Sequence, residues 1–230
     1  MRRALRRLLK LLLGLALIMG VGLIAAPYLL DRQYYHGPKS NHFDGQHFFN
    51  PDGTTGVMPT PGHPRVRLLW SMLTGLGRPA WPDHVDVTPG TPAARIDGGR
   101  LVATWVGHAT VLVQTEGLNI LTDPNWSETT GPFGIGPHRV AEPGVRFDDL
   151  PHIDAVVISH DHYDHLDVPT LLRLQARDHP RIFAGLGVDA LLATYGINAQ
   201  PVDWGQHFAV APFVEIIATR NHHWLSLIHI

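Results

Sequence analysis

The chain has 230 residues, enough for one sizeable globular domain plus an appendage, and its formal net charge of −2 offers nothing that would attract nucleic acid. It contains no cysteine, so disulfides, thiolate metal sites and lipidation at cysteine are excluded. Any metal must then be held by His, Asp or Glu, and the 16 histidines matter where they cluster.

At the N-terminus, Arg2, Arg3, Arg6, Arg7 and Lys10 precede an uncharged stretch from Leu11 to Leu30. A helix over that stretch rises about 30 Å, the thickness of a hydrocarbon core. The pattern predicts a basic cytoplasmic segment over 1–10 and an uncleaved single-pass transmembrane anchor over 11–30. The basic cluster stays in the cytoplasm, which places the following domain on the outer, periplasmic side of the membrane. The alternative is a signal peptide and export after cleavage, for which Ala25-Ala26-Pro27 is a poor site because proline follows it.

Residues 31–99 are rich in Gly, Pro, His and Asn, and Pro79, Pro82, Pro89 and Pro92 oppose long helices. This segment reads as an irregular arm wrapped onto the domain, with one short helix near Val66–Leu73 and with Phe43, Phe48 and Phe49 anchoring it by burial. The domain itself is assigned to 100–230. Leu101–Val106, Thr110–Thr115 and Leu118–Thr122 are rich in β-branched residues and read as strands, the last following a turn at Glu116-Gly117. Residues 124–152 carry five prolines at 124, 132, 137, 143 and 151 and form a long loop, of the kind that lines a site or acts as a lid. Ala155–Ser159 is a short apolar strand suited to burial on both faces. Val168–Arg177 reads as a helix capped by Asp167, with Pro169 tolerated in its first turn. Arg181–Ala184 is strand-like, Asp189–Tyr195 is helical and stops at Gly196, and Phe213–Thr219 is a final strand. Strands alternating with helices indicate an α/β (α+β) layered domain.

Directly after the buried strand comes His160-Asp161-His162-Tyr163-Asp164-His165. In an extended segment His160, His162 and Asp164 point to one side, and a bend at His165 aims it at a second ion. One ion can take His160 and His162, and its neighbour Asp164 and His165. Two such ions can share one hydroxide and lower its pKa toward neutrality. Imidazole and carboxylate suit zinc, and also iron or manganese. The position, beyond the C-terminal end of a strand, is where open α/β sheets place their sites.

His160-x-His162-x-Asp164-His165 resembles the defining motif of the metallo-β-lactamase fold superfamily. Trp105-Val106-Gly107-His108-Ala109-Thr110, Leu121-Thr122-Asp123-Pro124 and Ile158 through Asp167 are similar to the branch that contains N-acyl-phosphatidylethanolamine-hydrolysing phospholipase D and bacterial RomA-like proteins. His42-Phe43-Asp44-Gly45 and Phe48-Phe49-Asn50-Pro51 are similar to the opening segment of the bacterial members. The resemblance runs from about residue 34 to Trp224. It implies an αββα sandwich with a dinuclear zinc site, of which this chain holds the first half and part of the second. It implies that His160 and His162 bind the first metal and Asp164 and His165 the second. It also implies that His223, in His222-His223-Trp224, is a further metal ligand, and that Asp123 orients ligands from behind them. His108 reads as a satisfied structural histidine.

The superfamily also needs a bridging aspartate and a final histidine, both from the second half of the sandwich. The chain ends at Ile230 and its last six residues stop matching, resembling a translated sequencing adapter, so it reads as C-terminally incomplete and His229 receives no role. The resemblance implies a membrane-tethered zinc hydrolase, phospholipase D-like, in which a metal-bound hydroxide attacks a phospholipid phosphodiester and Asp164 positions it. Two alternatives stand beside it. One is a metallo-hydrolase of another ester, lactone or amide. The other is a non-catalytic, membrane-tethered metal-binding protein or an inactive truncated product.

Overall fold

Burial of β-branched and aliphatic side chains on alternating faces organises the chain from residue 101 onward. A computed structural model describes residues 2–30, 33–54, 70, 74, 82–131, 134 and 136–223. The chain divides into a unit built on the N-terminal helix and a second unit, Tyr34–Trp224.

In the first unit a single helix, α1, runs from Arg2 to Leu30. Among the described residues no helix is long and apolar enough to cross a membrane, so the transmembrane anchor expected over 11–30 is corrected to a helix without an assigned span. Part of the 11–30 stretch has side chains outside the described residues.

In the second unit β1 (Leu101–Gly107), β2 (Thr110–Thr115) and β3 (Leu118–Thr122) form an antiparallel meander. The β2–β3 turn needs positive φ at both of its residues, Glu116 at 47° and Gly117 at 73°, which is why glycine stands there. Next come β4 (Ala155–Ile158), helix α2 (Val168–Asp178), β5 (Arg181–Gly185), helix α3 (Val188–Ala193) and β6 (Gln200–Val202). β3, β4, β5 and β6 are parallel neighbours, which gives a six-stranded mixed sheet ordered β1-β2-β3-β4-β5-β6. β7 (His207–Ala211) and β8 (Val214–Ile217) form a separate antiparallel hairpin.

The two faces of the sheet have different cover. Leu112, Leu121, Val156, Ile158 and Ile182 share a core with Leu171 and Leu174 of α2 and with Leu191 and Leu192 of α3. The residues between them, Ile120, Ala155 and Phe183, face Phe208, Val210, Val214 and Ile216 of the hairpin. β4 is therefore covered on both faces, as its apolar run requires. The result is a mixed α/β fold with helices on one side of a sheet and a second, smaller sheet on the other.

Asp167 caps α2, accepting from Thr170 N–H, and α2 ends at His179 in the left-handed region rather than at a glycine. β6 and β7 were not legible as strands. β6 is a three-residue edge strand containing Pro201, tolerated because an edge strand needs no N–H there. The expected strand over 213–219 shortens to Val214–Ile217, because Phe213 sits at the hairpin turn with φ 70°. Among its described residues the long loop over 124–152 contains a 3₁₀ turn at Phe147–Asp149, and it is no simple lid. Val145, Phe147, Leu150 and Ile153 are buried in the helix-side core. In the arm, Phe43 is buried as expected, but Phe48 is 37 % exposed and packs at a tilt on the rings of Phe43 and Tyr35 instead. The helix expected near Val66–Leu73 and the tail from Trp224 lie outside the described residues, apart from Trp70.

Candidate metal centre

Topology decides which residues can meet. β1 is antiparallel to β2, β2 to β3, and β3 runs parallel to β4. The C-terminal ends of β1, β3 and β4 therefore lie on one edge of the sheet. That edge collects His108 after β1, Asp123 after β3 and residues 160–165 after β4.

Two donor groups form there. One Nδ1 or Nε2 atom from each of His160, His162 and His223 lies within 4.8 Å of the others, and the same holds for a ring nitrogen of His108, a carboxylate oxygen of Asp164 and a ring nitrogen of His165. The groups touch through the His160 and His165 rings, whose centroids are 4.0 Å apart. His223 packs against both His160 (4.2 Å) and His162 (4.8 Å). The segment is not extended to its end. The His162 carbonyl accepts from His165 N–H (2.9 Å) and Leu166 N–H (2.7 Å), and this tight turn swings Asp164 and His165 away from the first group. His108, expected to be structural, instead places Nε2 3.0 Å from Asp164 Oδ2, with its side chain half exposed. It sits at φ 47° in the β1–β2 turn. A sequence signal existed for it, since a hairpin turn opens on the edge where the third strand of a meander ends.

Asp123 lies behind both groups, 5 % exposed and at φ 37°. Its Oδ1 accepts from Ser159 N–H (2.7 Å), and its Oδ2 accepts from Ser159 Oγ–H (2.7 Å) and His165 Nδ1–H (2.8 Å). A carboxylate only accepts, so His165 carries its proton on Nδ1 and offers the Nε2 lone pair to the site. Ser159 has one proton and donates it to Asp123. Its Oγ, 2.8 Å from His160 Nδ1, then accepts from that nitrogen, and His160 likewise offers Nε2. One buried carboxylate thus sets the tautomer of two imidazoles.

The electrostatics separate those two rings. Burial, and after it the neighbouring rings of His165, His223 and His162, push the His160 pKa down to about 3. The hydrogen bond to Asp123 raises that of His165, against burial and with help from the charges of Asp123 and Asp164. His160 is therefore a neutral donor at any physiological pH, the state that a cation requires. The donor chemistry, two groups of three N or O atoms with tautomers fixed from behind, fits metal ions.

The surrounding loop is tied to this edge. Asn125 donates to the Asp164 carbonyl (3.1 Å) and accepts on its own carbonyl from Arg139 (2.9 Å). The Asp167 carboxylate holds Trp126 N–H and Ser127 N–H at 3.0 and 2.9 Å. Neither Asn125 nor Arg139 stood out in the sequence, because nothing local marks a residue whose partner lies 39 positions away, as for Asn125, or 12 to 14, as for Arg139.

Fold and donors together define a mixed α/β domain with two His/Asp donor groups that could hold metal ions at the C-terminal edge of its sheet. Residues 118–228 match the family model described as the beta-lactamase superfamily domain. The match continues past Trp224, where the resemblance was expected to stop. The chain is 35 % identical over 190 residues to an uncharacterized protein of Mycobacterium tuberculosis, covering 79 % of this chain and 49 % of that protein. It is 40 % identical over 115 residues to N-acyl-phosphatidylethanolamine-hydrolyzing phospholipase D 1 of Caenorhabditis elegans, covering 46 % and 32 %. To a UPF0173 metal-dependent hydrolase of Anaeromyxobacter it is 33 % identical over 109 residues, covering 47 % and 34 %. The chain spans about half the length, or less, of these relatives.

Proposed function

We propose that this chain carries the metal-binding part of a metal-dependent hydrolase that cleaves a phosphodiester, with phospholipid as the substrate class. The observation that carries the reading is the pair of adjacent donor groups, His160/His162/His223 and His108/Asp164/His165, in contact through His160 and His165. The two named hydrolases among its relatives support it, the nematode phospholipase D most directly. The helix face and the β7–β8 hairpin support an αββα sandwich as the complete architecture.

The first group would hold one metal and the second another, with zinc the proposed ion and iron or manganese able to use the same donors. A bound metal supplies Lewis acidity toward the phosphoryl oxygen and lowers the pKa of a water. The rest falls to side chains. Asp123 keeps the Nε2 atoms of His160 and His165 free of protons. Asp164 Oδ2, held 3.0 Å from His108, is the carboxylate placed to orient the attacking water and take its proton. The water oxygen bonds to phosphorus, the P–O bond to the leaving alcohol breaks, and the proton ends on that alcohol. The five cations ahead of Leu11 favour a cytoplasmic N-terminus whether the helix is retained or cleaved, and an outer location for the domain is part of this proposal.

The test is hydrolysis of N-acyl-phosphatidylethanolamine in mixed micelles by the zinc-loaded chain. Alcohol release that requires metal, and that is lost in H160A and D164A, is the expected result. Full activity in the H160A/D164A double variant refutes the mechanism. Turnover of an ester or lactone in place of the phosphodiester shifts the substrate class.

A further inference from the structure

His223 comes from a segment far from the 160–165 turn, and something must hold it in place. On the other side of His223 lies Asn50 of the arm, 8 % exposed. The Asn50 carboxamide makes two hydrogen bonds to the His223 main chain. Nδ2 donates to the His223 carbonyl at 2.9 Å, and Oδ1 accepts from the His223 N–H at 2.9 Å. The side chain thereby pairs with His223 as a neighbouring β-strand would. Only an amide of this length offers both a donor and an acceptor in that plane.

Asn50 is itself held. Its N–H donates to the Thr54 carbonyl (2.8 Å), its carbonyl accepts from Gly53 N–H (2.8 Å), and Nδ2 also reaches Thr54 Oγ1 (3.2 Å). The arm is tied to the domain at two further points. His42 Nε2 meets Asp203 Oδ1 at 2.9 Å while the His42 ring stacks on Trp204 with centroids 4.4 Å apart. Asp52 Oδ2 meets His222 Nε2 at 3.0 Å. Asn50 and Asp52 thus fasten the segment that delivers the third imidazole of the first donor group, and His42 ties the arm to the turn ahead of β7.

We infer that Asn50 is a positioning residue for the three-histidine metal site, fixing His223 by its main chain so that His160, His162 and His223 present one preorganised set of donors. The inference rests on the metal-binding reading of those histidines. A preorganised donor does not have to be ordered when the ion arrives, so loss of Asn50 acts on affinity for the metal.

The probe is cobalt(II) added to the metal-free full chain, read by its visible absorption and by competition with a chelator. The variants are N50A, N50D and H160A. N50D keeps the size of the side chain and the acceptor for His223 N–H but loses the donor to the His223 carbonyl. Both Asn50 variants should bind cobalt(II) on the order of tenfold more weakly than the wild type, with a weaker absorption band as the donor set loosens. Hydrogen exchange at the His223 amide should speed up in metal-free N50A and stay slow in N50D. Wild-type affinity and spectrum in both Asn50 variants, with binding lost in H160A, overturns the role of Asn50 alone. Unchanged binding in H160A overturns the metal site itself, and the role of Asn50 with it.

Discussion

Replacing Asp123 by asparagine keeps the shape of the side chain and reverses the chemistry behind two imidazoles of the proposed metal site. Oδ1 must remain an oxygen, because it accepts from Ser159 N–H at 2.7 Å. The amide nitrogen is therefore forced into the Oδ2 position, facing Ser159 Oγ and His165 Nδ1. There it donates where the carboxylate accepted. His165 must move its proton to Nε2, and Ser159, its own proton released, donates to His160 Nδ1 with the same result. Both rings then turn an N–H toward the ion. A hydrogen bond to a charged group contributes about 1.5–3 kcal/mol. Loss of the group behind a metal-binding histidine costs roughly 10–100-fold in affinity, or about 1.4–2.8 kcal/mol. The two magnitudes agree, so D123N should weaken metal binding by that factor. Chelator competition measures the affinity, and nitrogen-detected NMR of the imidazoles reports the tautomers. The raised pKa of His165 gives an independent readout in the metal-free chain. Its contribution to stability is fully present below the ordinary value of 6.5 and is lost as pH rises through the folded value, and D123N should remove that dependence. Unchanged metal affinity with His165 still protonated on Nδ1 would refute the reasoning.

Three further outcomes concern the scaffold. D167A removes a buried acceptor of hydrogen bonds from Trp126 N–H, Ser127 N–H and Oγ–H, and Thr170 N–H and Oγ–H, and it uncaps α2. It should lower stability by about 3 kcal/mol in urea unfolding. G144A places a Cβ 2.7 Å from the Trp105 carbonyl oxygen, against backbone that cannot move aside, and should destabilise by about 1–3 kcal/mol. Burial pushes the Asp178 carboxyl up, but hydrogen bonds from Arg177 and Ile153 N–H and the charges of Arg177 and His152 outweigh it, so its pKa lies below the ordinary 3.8. Its stabilisation is present above that value and is lost as pH falls through the depressed one. D178N should therefore be less stable than wild type at neutral pH and converge with it in acid.

The sequence by itself determined the local elements that carry strong periodicity. β2 and β3 match their predicted limits, and α2 with its Asp167 cap falls within a residue, because β-branched alternation and capping chemistry are short-range properties. The dense cluster over 160–165 was legible for the same reason: its donors are contiguous. The resemblance supplied His223 and Asp123, which spacing could not have supplied. The tertiary structure alone decided which donors share a group. It moved His108 from a structural role to the side of Asp164, because the strand order β1-β2-β3-β4 brings three strand ends to one edge. It placed Asn50 against His223 across the whole domain, and it put Ser159 between Asp123 and His160. Such contacts depend on chain segments that are distant in sequence, and a linear pattern carries no record of their distance in space.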